Sequence, residues 1–114
     1  MDKFTYGKSQ AAINLASILD NLNNKKVQKY ISTSLYEFTN VIKSIKNSDI
    51  PLEIKQHILL LCMRNFKEKV IPVVRSKLFY TQETEKLNYY VVTHTENVAT
   101  IIYREALRKL NNFI

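Results

Sequence analysis

The residues of this sequence best suited to nucleophilic or metal chemistry are two histidines and one cysteine, and their spacing supports neither use. His57 and Cys62 stand five residues apart, which on a helix places them on different faces, because surface neighbours there are three or four apart. Neither histidine has Cys, Asp or Glu around it in the spacing of a zinc site, so no metal or other cofactor is expected. Cys62 lies in the apolar run Ile58-Leu59-Leu60-Leu61-Cys62-Met63, where a thiol reads as a small core residue. His94 falls on the inner stripe of a C-terminal helical pattern and reads as a hydrogen-bonded core or interface histidine.

Carboxylates give no acid/base pair either. Glu83 and Glu85 suit the start of a helix, Glu96 suits a cap, and Glu105 pairs with Lys109 one turn on. Gly7-Lys8-Ser9 has the tail of a phosphate-binding loop, but Asp2 occupies the position of the required upstream glycine. A non-enzymatic protein is the expectation.

Charge is more informative. Seventeen Lys and Arg against ten Asp and Glu leave a net charge of +7. Residues 54–82 hold six cations, Lys55, Arg64, Lys67, Lys69, Arg75 and Lys77, against Glu68 alone, so this segment carries +5 of that total. Phe66, Phe79 and Tyr80 are interleaved with them. Cations neutralise phosphates and release counterions, and aromatic faces stack on bases, a mixture that suits nucleic acid. The competing reading is a solvated cationic helix face above a core of aromatics. A second cluster, Lys25, Lys26 and Lys29, stands at a helix start, where cations oppose the helix dipole; residues kept against a local preference point to function.

These groups must be positioned by helices. One glycine and two prolines in 114 residues leave few tight turns for a strand-rich fold. A first helix starts at Ser9 as cap, with Ala12, Leu15, Ala16, Leu19 and Leu22 on one stripe, and ends at the 21–24 asparagine cluster. Residues 25–45 carry Val27, Ile31, Leu35, Phe38, Ile42 and Ile45 at helical spacing. Ser32-Thr33-Ser34 leaves open whether this is one helix or two, since Ser34 and Glu37 fit a capping box. Asn47-Ser48-Asp49 is a loop and Pro51 opens a third helix, which runs through Leu59, Leu60 and Met63 toward Val70, where Pro72 must kink or end it.

Residues 73–93 are ambiguous. One reading is a long helix from Thr81 to about Asn112, with Leu87, Val91, Val98, Ile102 and Ala106 buried. The other is a β-hairpin, because Tyr89-Tyr90-Val91-Val92-Thr93 is rich in strand formers. The segment 82–86 lacks the Gly, Asn or Asp of a short hairpin turn, which favours the helix. Read as two helices, residues 27–45 resemble a helix-turn-helix in outline, with Tyr36, Asn40 and Lys43 outward on the second. Joined to the hairpin, the chain would resemble a winged-helix α+β protein with an added central helix. Glu83 and Glu85 at the tip of that wing would repel phosphate.

The sequence therefore predicts one all-α domain over residues 1–114, a bundle of about four helices kinked at Pro72, with the winged-helix architecture as the alternative. The predicted function is binding of nucleic acid, or nucleoprotein assembly, through phosphate contacts from Lys25, Lys26, Lys29, Arg64, Lys67, Lys69, Arg75 and Lys77. The alternative is a helical adaptor or inhibitor that binds an acidic protein partner, since Tyr is favoured at interfaces. A homodimer built on the last helix would serve either. One cysteine cannot form an internal disulfide, the start lacks an apolar leader, and no apolar stretch reaches the roughly 20 residues of a membrane span, so an intracellular protein is expected. Lys outnumbers Arg 13 to 4, a bias of AT-rich genomes such as those of many viruses and mobile elements.

Overall fold

In the computed structural model, which describes residues 9–80 and 84–111, helices α1 (Gln10–Asp20), α2 (Lys25–Lys46), α3 (Leu52–Asn65), α4 (Ile71–Phe79) and α5 (Glu85–Asn111) form an all-α bundle with no strand among the described residues. A π-helical turn, Phe66–Val70, joins α3 to α4 without a break. Four helical rods result. Gly7 and Lys8 of the phosphate-loop tail, the helix start expected at Thr81, the hairpin tip at Gln82 and Glu83, and Asn112 lie outside the described residues.

Each rod starts where the local chemistry allows. Ser9 Oγ accepts the Ala12 N–H at 3.2 Å. Asn24 Oδ1 accepts from Lys26 and Val27 at 2.9 and 3.2 Å, satisfying two donors that the first turn of α2 leaves free. Lys55 Nζ donates to the Lys46 carbonyl at 2.8 Å and so closes the end of α2. Thr84 Oγ1 accepts from the Leu87 N–H at 3.2 Å.

The stripe of α2, Val27, Ile31, Leu35, Phe38 and Ile42, is buried as its spacing predicts. The helix runs unbroken through residues 32–34, which corrects the helix-turn-helix outline. Ile31 and Leu35 bracket that triplet at 0% exposure, and a turn there would withdraw one of them from the core. Ser34 stands in the helix interior, where the backbone N–H groups already have partners and a capping box has nothing to satisfy.

The third rod buries Leu59, Met63, Phe66, Ile71, Val74 and Leu78. All steps are three or four residues except the five from Phe66 to Ile71. An α-helix would turn about 500° over that step and carry Ile71 out of the core. The π-helical turn absorbs the extra residue, with the Ile71 N–H donating to the Phe66 carbonyl five residues back. Pro72 follows directly in the first turn of α4, so the helix continues past the proline expected to kink or end it. Leu60, in the same apolar run as Leu59 and Met63, is 42% exposed.

Residues 73–79 belong to α4 and residues 85–93 to α5, so the hairpin is corrected as well. The strand formers Val91 and Val92 are buried on α5, which packs against α1, α2, α3 and α4. Packing against four helices outweighs a local preference that spans only about 1 kcal/mol. Buried Gln28 Nε2 donates to the Leu19 carbonyl and ties α2 to α1, and Gln56 Nε2 donates to Asn111 Oδ1 at 2.9 Å, tying α3 to the sequence-distant end of α5.

Candidate functional site

Lys25, Lys26, Lys29, Arg64, Lys67, Lys69 and Arg75 are exposed and Lys77 is half-buried. None of the eight forms an ion pair with a described residue; the pairs among those residues join Glu105 to Arg108 and Lys109 at 3.8 and 3.9 Å. By contrast Lys55, in the same cationic segment, is occupied at the end of α2.

The eight do not make one patch. Residues two apart on a helix point about 200° from each other, so Lys67 and Lys69 lie on opposite flanks of their rod, as do Arg75 and Lys77. Gln56, bonded to Asn111 of α5, marks the flank that carries Lys67, three turns on. Lys77 marks the flank toward α2, because its Nζ lies 5.3 Å from the centre of the Tyr30 ring, a cation–π contact.

That contact brings two clusters together that lie some fifty residues apart in sequence. It sets the end of α4 beside the start of α2, where Lys25, Lys26 and Lys29 stand. The same end of the bundle exposes aromatic residues. Phe79 and Tyr80 are each 78% exposed and meet edge to face with ring centres 5.3 Å apart. Across the connection to α5, Tyr89 and Tyr90 are also exposed and paired at 6.3 Å. The reading that made all the interleaved aromatics core holds for Phe66, packed on Phe38 at 5.0 Å, and fails for Phe79 and Tyr80. Sequence reasoning took Tyr89 and Tyr90 as strand formers and so missed them as surface groups; their signal was two adjacent aromatics, one of which a helix must expose.

A second feature lies between α2 and the third rod. A groove of about 490 Å³ is lined by Tyr30, Ser34, Glu37, Phe38 and Val41 from one side and by Ile58, Leu61, Cys62, Asn65, Phe66 and Val70 from the other. Val41 and Leu61 are 47% and 43% exposed. Burial pushes the Cys62 thiol above its ordinary range, which keeps it protonated and a poor nucleophile.

His57 is exposed and Cys62 half-buried. His94 is half-buried and stacks on Tyr90 at 6.1 Å, but its buried Nδ1 has no hydrogen-bond partner, a correction to the hydrogen-bonded histidine expected there. Among the described residues, no group of three or more His, Cys, Asp or Glu could hold a metal ion, and no helix is long and apolar enough to cross a membrane. No family model, curated protein or solved structure matches the chain.

Proposed function

We propose that this is a non-enzymatic nucleic-acid-binding protein that takes single strands at the end of the bundle formed by the start of α2 and the close of α4. The observation that supports the reading is the Lys77–Tyr30 contact, which sets Lys77 near Lys25, Lys26 and Lys29 and beside the two most exposed aromatic residues among those described, while Arg75 lies on the opposite flank of its rod. Unpaired cations gain most from releasing counterions of a phosphate backbone. Aromatic faces that remain in water gain by stacking on bases, which are accessible in a single strand and hidden in a duplex. Arg64 and Lys67 lie on the flank toward α5, outside that end of the bundle.

Gel shifts with generic single-stranded and duplex DNA and RNA, at low and moderate salt, test the reading. Single strands should bind more tightly than duplex, and affinity should fall steeply with salt. Absence of a shift at low salt refutes it.

A further inference from the structure

We propose that the groove between α2 and α3 docks an amphipathic helix of a partner protein, apolar on one stripe and acidic at the turn that meets the Tyr30 end. The groove adjoins the aromatic end of the bundle and shares Lys26 and Lys77 with it, but its apolar lining is separate.

The first is shape. Tyr30, Ser34, Glu37 and Val41 follow one another at helical spacing along one wall, and Ile58, Leu61 or Cys62, and Asn65 along the other. From Tyr30 to Val41 α2 rises about 17 Å, room for a helix of about three turns. Apolar anchors at i, i+3 or i+4, and i+7 would lie over Phe38, Val41, Ile58 and Leu61. Val41 and Leu61 remain in water without such an anchor.

The second is charge. Lys26 stands one turn before Tyr30 on the same face of α2, Lys77 lies over the Tyr30 ring, and Lys69 stands one turn beyond Asn65. These cations form no ion pair with a described residue. Glu37 is the single acid in the lining and calls for a donor from the middle of the incoming helix. A chain of net charge +7 repels a second copy of itself and attracts an acidic partner.

The native cysteine supplies the assay, since Cys62 lines the groove and is the only cysteine in the chain. The full chain is titrated with three synthetic helical peptides sharing a Leu stripe: one flanked by Glu, one flanked by Lys, and a scrambled form of the first. Binding is read by calorimetry and by protection of Cys62 from a maleimide. The Glu peptide should bind at least about ten-fold more tightly than either control and slow labelling by a similar factor. Val41→Glu or Leu61→Glu should weaken it about ten-fold or more, because a charge would be buried against the apolar stripe. Both side chains are partly in water, so each variant should keep its cooperative melt and its affinity for oligothymidylate; the two sites then fail independently. Equal binding of Glu and Lys peptides, no binding of any, or unchanged affinity in both variants overturns the proposal. So does protection of Cys62 by oligothymidylate, or a dimer in sedimentation that the variants dissolve, since nucleic acid or a second copy would then be the occupant.

Discussion

Replacing Lys26, Lys29 and Lys77 together by Gln removes three of the four predicted cations at the aromatic end of the bundle and leaves Lys25. If each of the four neutralises one phosphate of a single strand, the log–log dependence of affinity on salt has a slope of about −2.8, at about 0.7 per phosphate. Between about 50 and about 200 mM salt the native protein should then lose about 50-fold in affinity. The triple variant should retain a slope of about −0.7 and lose less than about three-fold over the same range. Fluorescence anisotropy of a labelled oligothymidylate at several salt concentrations measures both slopes. Thermal melts control for the lost cation–π contact at Tyr30, worth about 0.5–1 kcal/mol at an exposed site. Arg64→Gln with Lys67→Gln, on the opposite flank, should leave the slope unchanged. A salt-insensitive native protein, or a triple variant with the native slope, refutes the reasoning, and a slope that responds only to Arg64 and Lys67 moves the surface to the flank toward α5.

Phe79→Ala and Tyr80→Ala should each weaken single-strand binding by about 1–3 kcal/mol per base stacked, with no change in salt slope, in the same anisotropy assay. Deleting Glu68, exposed in the π-helical turn, should let that turn close to an α-helix with Ile71, Val74 and Leu78 still in phase, and a cooperative melt should survive. Inserting an alanine after Leu61 should rotate everything beyond it by about 100° and abolish that melt. Asn24→Ala should cost about 1 kcal/mol in chemical denaturation, since Asn24 Oδ1 accepts two first-turn N–H groups. For Cys62, the folded state holds its proton more tightly than the unfolded state does. Its contribution to stability is therefore present below the unfolded value and lost as pH rises through the folded one. The alkylation rate of the native protein should still be climbing with pH where that of the denatured protein has levelled.

Much of the fold was legible along the chain because helices write their buried faces into the sequence. Ser9 as a cap, the stripe from Val27 to Ile42 and the loop before Pro51 all follow from local rules. The π-helical turn was not legible, because the five-residue step between Phe66 and Ile71 is apparent only once both are known to be buried. Where local signals competed, the sequence was ambiguous. The hydroxyl triplet at 32–34 and the strand formers at 89–93 each fit a break or a strand, and only packing against the rest of the bundle overrode them.

The candidate site divides along the same line. Sequence alone determined that the protein is basic, that its cations concentrate in residues 54–82 with a second group at 25–29, and that no nucleophile or metal cluster has workable spacing. Those are properties of composition and of distance along the chain. Which cations stand together was decided only in three dimensions, because residues two apart on a helix face opposite ways while residues some fifty apart meet where two helix ends pack. So it was with the aromatic residues and the groove. Whether Phe66 or Phe79 is core, and whether Val41 and Leu61 share one apolar surface, depends on what packs against each helix, and no local pattern encodes it.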